Sequence, residues 1–313
     1  MADPPSHLMA RRREQRARRR RRRLAAGALV ATIAAAAAVW VLVSGGSAGR
    51  TAPRRLTVAG PAPPALRPRR PVRLTGVMAA GNAEIRRLIK LGLPVYCGGH
   101  RGNEVAFTFD DGPGVYTHLA LKKLHQAHER ATFFDVGKSI NSWPGYLPKE
   151  ETLAAIGDHT YTHPDLEGLG PADVSSQLKR TAELITAQSG QSVDIWRPPY
   201  EATNPAIDRI AQHLGLLDIL WSIDSADSLG ANWAQIIQRV ETGLQPGAIV
   251  EMHENRGQTI RALTTLLPYL HHRHLRSVSI PELLASDPPS LAQLRRGGLG
   301  CGERAGAVSG NGG

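Results

Sequence analysis

Between Val105 and Ile280 the chain alternates between two hydrophobic rhythms. Short apolar or β-branched runs bounded by Gly, Pro, Asp or Asn predict strands at Val105–Phe109, Ala131–Val136, Val193–Trp196, Leu217–Ile223, Ala248–Met252 and Ser277–Ile280. Stretches with apolar residues at helical spacing predict helices at Tyr116–His128, Pro171–Ser189, Pro205–Leu214, Trp233–Thr242 and Thr259–His272. In Pro171–Ser189, Val174, Leu178, Leu184 and Ile185 line one face, Asp173 lies near the start, and Gly190 ends the element. A short amphipathic helix over Asn82–Leu91 precedes this series, and a last turn over Pro281–Ala285 follows it. Strand and helix alternate throughout, which predicts a parallel β/α architecture of barrel type. No element is assigned to the segment Asn141–Ala155.

The first eighty residues follow a different pattern. Leu24–Val43 contains no charge and would be about 30 Å long as a helix, one bilayer core. Trp40 suits the interfacial aromatic belt, and residues 1–23 carry ten Arg against Asp3 and Glu14. The expected organisation is a basic cytoplasmic tail (1–23), a transmembrane anchor (24–43), a Pro/Gly-rich spacer (44–80), a globular domain (81–301) and a Gly-rich disordered tail (302–313). A cleaved signal peptide, cut near Ser44–Ala48, is the rival reading. Of the net charge of +11, the first 23 residues hold +8, so the high pI describes a tail. It gives no reason to expect nucleic-acid binding by the domain. On this topology Cys97 and Cys301 lie outside the cytoplasm, where a disulfide would tie the two ends of the domain together; two free thiols are the alternative.

The candidate chemistry sits where predicted strands end. Phe107-Thr-Phe-Asp-Asp-Gly-Pro113 places two adjacent carboxylates, Asp110 and Asp111, at a strand terminus. Two like charges side by side are costly unless neutralised, and a bound cation would take one as ligand and leave the other as a base. His159 and His163, four residues apart, would face the same way on a helical turn and suit a divalent metal. Two His and one carboxylate form the ligand set of an open hydrolytic zinc site. Arg197, fixed by Pro198 and Pro199, could pin a carboxylate and keep its pKa low. His253, beyond another strand, is a candidate general acid, and Asp224 and Asp227 could orient and charge it. Each signal has a plain explanation when taken alone, such as an acidic turn or a surface histidine.

Taken in order, these motifs resemble the NodB-homology polysaccharide deacetylases, carbohydrate esterase family 4, across roughly residues 95–285. The matching stretches are Thr108–Gly112, His159–His163, Arg197–Tyr200, Trp221 with Asp224 and Asp227, and Met252-His253 with Asn255, Gln258 and Thr259. The resemblance implies a distorted (β/α) barrel. It implies Asp110 as catalytic base; Asp111, His159 and His163 as ligands of a divalent metal, zinc being chemically sensible; and Arg197 as the residue orienting Asp110. It further implies the Tyr200 backbone N–H as an oxyanion donor, and His253 as general acid oriented by Asp227. The expected activity is metal-dependent hydrolysis of N-acetyl groups from amino sugars of an extracellular polysaccharide, with peptidoglycan favoured over other chitin-type glycans. The expected partners are that polysaccharide and, through residues 24–43, a membrane. An O-acetyl esterase on xylan-type glycan and a weakly active glycan-binding domain are the alternatives. The chain departs from the family pattern at Ser228, Glu251 and Glu201; the first two are expected to stand in the acetyl-pocket wall.

Overall fold

The structure, a computed structural model, describes residues 76–302. The expected tail, anchor and most of the spacer, with the end of the Gly-rich tail, lie outside these residues. Gly76–Ala80, assigned by sequence to the spacer, instead open a helix, α1 (Gly76–Leu91).

Eight parallel strands form the centre: β1 (Glu104–Gly112), β2 (Ala131–Asp135), β3 (Ala154–Asp158), β4 (Ile195–Trp196), β5 (Leu217–Asp218), β6 (Ile223–Asp224), β7 (Ile249–His253) and β8 (Arg276–Ser277). Their order is β5-β4-β3-β2-β1-β7-β6, with β8 pairing the first two residues of β1. The sheet curls as a partial barrel. Val95 bridges to Ile219 just beyond β5, and Cys97 bridges to Ala248 just before β7, so this short segment connects the two sides. A disulfide joins Cys97 to Cys301, with Cα atoms 5.9 Å apart.

Strand alternation explains where the core and the site lie. Side chains alternate between the two faces of a strand. Val105, Phe107 and Phe109 of β1 pack outward with Phe133, Val250 and Met252 against α2 (Thr117–Ala127), α7 (Trp233–Gly243) and α8 (Gly257–His272). The other face of β1 carries Ala106, Thr108 and Asp110, opposite Ile249, Glu251 and His253 of β7 in direct register. At its lower end this inner face is apolar. Ala106 and Ile249 meet Ile85 and Leu88 of α1 and Leu283 and Leu284 of α9 (Ile280–Ser286). At its upper end it is polar, so the strands deliver their polar residues to the carboxyl ends, where such folds build sites.

Several expectations needed correction. The single strand read over Leu217–Ile223 is two short strands, β5 and β6, at opposite ends of the sheet. One continuous apolar run cannot reveal that the chain crosses from one edge to the other within it. The segment Asn141–Ala155 includes α4 (Leu147–Glu150) and leads into β3; α3 (Gly137–Ser142) overlaps its start. The last turn is the helix α9, capped by Ser279 and Glu282. Of the remaining helices, α5 (Pro171–Ser189) has the bounds its periodicity predicts and α6 spans Pro205–His213. A final helix, α10 (Leu291–Arg296), was not anticipated.

Candidate active site

Asp110 and Asp111 are consecutive yet have separate surroundings. Asp110 continues the inner face and is buried, whereas Asp111 adopts a left-handed backbone (φ 72°) that turns the chain out of the strand before the cis Gly112–Pro113 bond. Arg197, fully buried beyond β4, reaches across the barrel. Its Nη1 donates to Asp110 Oδ1 (2.7 Å) and to the Thr108 hydroxyl (2.8 Å), and its Nε donates to the Ile219 carbonyl (2.9 Å). The guanidinium also lies over the Phe134 ring, 4.2 Å from its centroid. Five fixed donors and an aromatic face account for Arg rather than Lys here.

The two imidazoles come together, though not as expected. His159–His163 is an irregular loop after β3, with left-handed residues at Thr160 and His163 (φ 66° and 56°). The shared helical face read from the spacing is absent. Positive φ values of this kind carry no hydrophobic period, so the sequence could not show them. The His159 Nδ1–H donates to the Arg197 carbonyl (2.8 Å), which leaves Nε2 as a lone-pair donor 3.7 Å from Asp111 Oδ1. His163 Nε2 lies 3.1 Å from the same oxygen, while its Nδ1 meets the Tyr200 hydroxyl at 3.1 Å. Burial lowers both imidazoles to about 4, so each is neutral at neutral pH. Burial alone would push the Asp111 carboxyl up, but His159, His253, His163 and the Asn255 amide outweigh it and hold the group below the usual carboxylate range. Donor atoms of Asp111, His159 and His163 all lie within 4.8 Å of one another. Two neutral ring nitrogens and an ionised carboxylate, each fixed by an outer partner, fit a divalent metal.

On the opposite wall, Asp227 holds His253. Its Oδ1 accepts from the ring Nδ1–H (2.7 Å), and its Oδ2 accepts from the His253 backbone N–H (2.7 Å) and the Thr259 hydroxyl (2.5 Å). Burial would lower the imidazole, but the Glu251 and Asp227 carboxylates raise it to about 10, so it is a cation at neutral pH. Asp224, the other candidate orienter, instead accepts from the Ala226 N–H (2.6 Å). The expectation that Arg197 keeps the Asp110 pKa low does not hold. Burial pushes this carboxyl above the usual range despite the pull of Arg197 and His253. Tyr200 has φ 63°, directly after the two prolines, and its ring is half exposed beside His163.

Thr108, Asn255 and Thr259 belong to the matching motifs, but the sequence assigns none of them a role in the site. Asn255 donates to Asp111 Oδ2 (3.0 Å). The period-2 relation of Thr108 to Asp110 was the available signal.

The family described as polysaccharide deacetylase matches residues 98–218, a span that includes both aspartates, both imidazoles, Arg197 and Tyr200 but ends before Asp227 and His253. A peptidoglycan-N-acetylglucosamine deacetylase of Listeria monocytogenes is 34% identical over 57% of this chain and 38% of its own length. The chain thus spans well under half of that relative. A chitooligosaccharide deacetylase of a Bradyrhizobium species is 30% identical over 57% of this chain and 90% of the relative. Among solved structures, a peptidoglycan N-acetylglucosamine deacetylase in complex with a naphthalenyl N-oxidanyl-benzamide superposes with a TM-score of 0.59 at 28% identity, over 62% of this chain and 94% of that one.

Proposed function

We infer the activity from the premise that the chain belongs to the NodB-homology polysaccharide deacetylases, carbohydrate esterase family 4. The reading is hydrolysis of N-acetyl groups on amino sugars of an extracellular glycan, peptidoglycan being the favoured polymer. One observation carries it: the buried Arg197–Asp110 pair and the Asp227–His253 pair flank the Asp111–His159–His163 cluster.

A divalent ion held by Asp111, His159 and His163 would supply a Lewis acid for the amide carbonyl and acidify water. The protein supplies the remainder. Asp110, oriented by Arg197, takes a proton from the attacking water; its raised pKa moves it toward the range of an effective base. His253 gives a proton from Nε2 to the departing sugar nitrogen, and Asp227 keeps the ring oriented and charged. The Tyr200 backbone N–H is the proposed oxyanion donor; its left-handed turn beside the cluster supports that role. Val115, Tyr200 and Leu229 are exposed in the segments after β1, β4 and β6, and Trp143 is exposed at the end of α3. Large exposed side chains of this kind suit the faces of sugar rings in a long glycan. The Cys97–Cys301 disulfide supports a domain outside the cytoplasm, and the Leu24–Val43 run supports its anchoring there.

Acetate release from peptidoglycan, chitin oligomers and acetylated xylan tests the reading. Zinc-loaded protein is expected to release acetate from the N-acetylated polymers, and Asp110→Asn is expected to lose at least about 10²-fold in rate while retaining zinc. Acetate from xylan alone would make the protein an ester hydrolase, and a wild-type rate in Asp110→Asn would remove Asp110 as the base.

A further inference from the structure

Behind the Asp110–Gly112 turn lies a second group of carboxylates with no part in the chemistry above. Asp135 ends β2 and stands in register with Gly112. Glu254 directly follows β7, and Glu150 ends α4. All three side chains have zero solvent exposure. None of their six oxygens receives a well-formed hydrogen bond, the nearest groups being the Thr117 hydroxyl beside Glu254 and the two acids Asp135 and Glu150 facing one another, and among the described residues no Lys, Arg or His forms an ion pair with any of them. One oxygen from each lies within 4.8 Å of the others. Gly112 is obligatory against this group, since a Cβ there would lie 1.4 Å from Glu254 Oε1 and 2.7 Å from Asp135 Oδ1.

Three dehydrated carboxylates without a cationic partner need neutralising, because a buried, unpaired charge costs several kcal/mol or more. Two agents can do it. Protons shared among the acids neutralise the charge, but two shared protons satisfy only about four of six oxygens. A hard cation accepts six to eight oxygen ligands and can use all of them, with carboxylates binding through one or both oxygens. The absence of nitrogen and sulfur donors separates the chemistry from that of the histidine cluster, since an all-oxygen set suits calcium, magnesium or manganese.

We propose that Asp135, Glu150 and Glu254 form a structural site for a hard divalent cation of calcium type, distinct from the Asp111–His159–His163 cluster. The ion links the helix at Glu150 to the ends of β2 and β7 directly behind the base-bearing turn. It stabilises the fold there and takes no part in proton transfer.

The test uses the purified full chain, stripped with chelator, saturated with zinc and dialysed against calcium chloride, with magnesium chloride as a parallel arm. Bound metal is measured by atomic emission and stability by thermal unfolding. The wild type should hold about one equivalent of calcium or magnesium beyond its zinc, and its melting temperature should rise with that ion. Glu150→Gln, close to isosteric, should lose that equivalent and the rise while keeping its zinc. No equivalent beyond zinc, or a Glu150→Gln protein that keeps the ion or melts at or above the wild-type temperature, would overturn the proposal in favour of shared protons. If Glu150→Gln does not fold, the melting temperature of the zinc-saturated wild type with and without calcium decides: a rise supports the site and its absence overturns it. Neither result depends on deacetylase activity.

Discussion

Replacing Asp227 with Asn removes the charge beside the proton donor at nearly constant volume. The Asn carbonyl can still accept from His253 Nδ1, its amide nitrogen then facing the His253 backbone N–H and the Thr259 hydroxyl, but the negative charge 2.7 Å away is gone. A unit-charge pair at that distance in an effective dielectric of about 20 interacts by ~6 kcal/mol, equivalent to ~4 pKa units. That is an upper bound, because the Asn dipole remains and the Glu251 carboxyl still faces the ring at 3.3 Å. A drop of about 1–3 units is the reasonable expectation. His253 is active when protonated, so activity falls as pH rises through its pKa, and a lower pKa moves the alkaline limb down. The limb should shift from the vicinity of the wild-type value of about 10 toward neutrality. The assay is kcat/KM for acetate release across the pH range, which reports the free enzyme. Asp227→Asn should lose little near pH 6 and progressively more above it. An alkaline limb that stays in place, in a protein with normal zinc content and melting temperature, would refute either the role of His253 as acid or the role of Asp227 in charging it.

Tyr200→Phe removes the hydroxyl that meets His163 Nδ1, so zinc affinity should fall about 10–100-fold, measured by competition with a chromogenic chelator. In metal-free protein the two site imidazoles titrate near 4 when folded against about 6.5 when unfolded, so the unfolded chain binds more protons between those values. Their contribution therefore costs stability as pH falls from about 6.5 to 4; His159→Gln/His163→Gln should show a shallower loss by thermal unfolding over that range. Reducing the Cys97–Cys301 bridge, or replacing both cysteines by Ser, should cost about 5 kcal/mol in urea unfolding, because it closes a loop with a sequence separation of 204.

The residues of the site were legible in the sequence because its chemistry is concentrated in short motifs at strand ends. Asp110, Asp111, His159, His163, Arg197, Asp227 and His253 converge as their residue types and order suggested. What brings them together was less visible. The left-handed turns at Asp111, Thr160 and His163 leave no periodic trace, and the crossing that separates β5 from β6 is hidden inside one apolar run. Charge state was the least legible quantity. Arg197 beside a carboxylate suggested a low pKa for Asp110, yet both groups are almost fully buried and desolvation outweighs the pairing. Sequence supplies the partners of a charge, while depth decides which influence wins.

Glu251 illustrates the same point from the other direction. As a departure from the family motif it suggested a polar wall of the acetyl pocket. Strand alternation places it on the inner face of β7, in register with Thr108 and one step below His253 and its partner Asp110. It is buried, with Oε1 3.3 Å from His253 Nδ1. Its carboxyl is the leading influence raising the imidazole, while burial pushes that carboxyl itself well above the usual carboxylate range and His253 pulls it back down. It therefore bears on the proton donor from beneath, and only indirectly on which acyl group fits. Ser228 lies in the one-turn helix Asp227–Leu229, beside the exposed Leu229. The two residues thus separate by depth: Glu251 is buried on the inner face beneath the donor, and Ser228 is half-buried in the one-turn helix that carries Asp227.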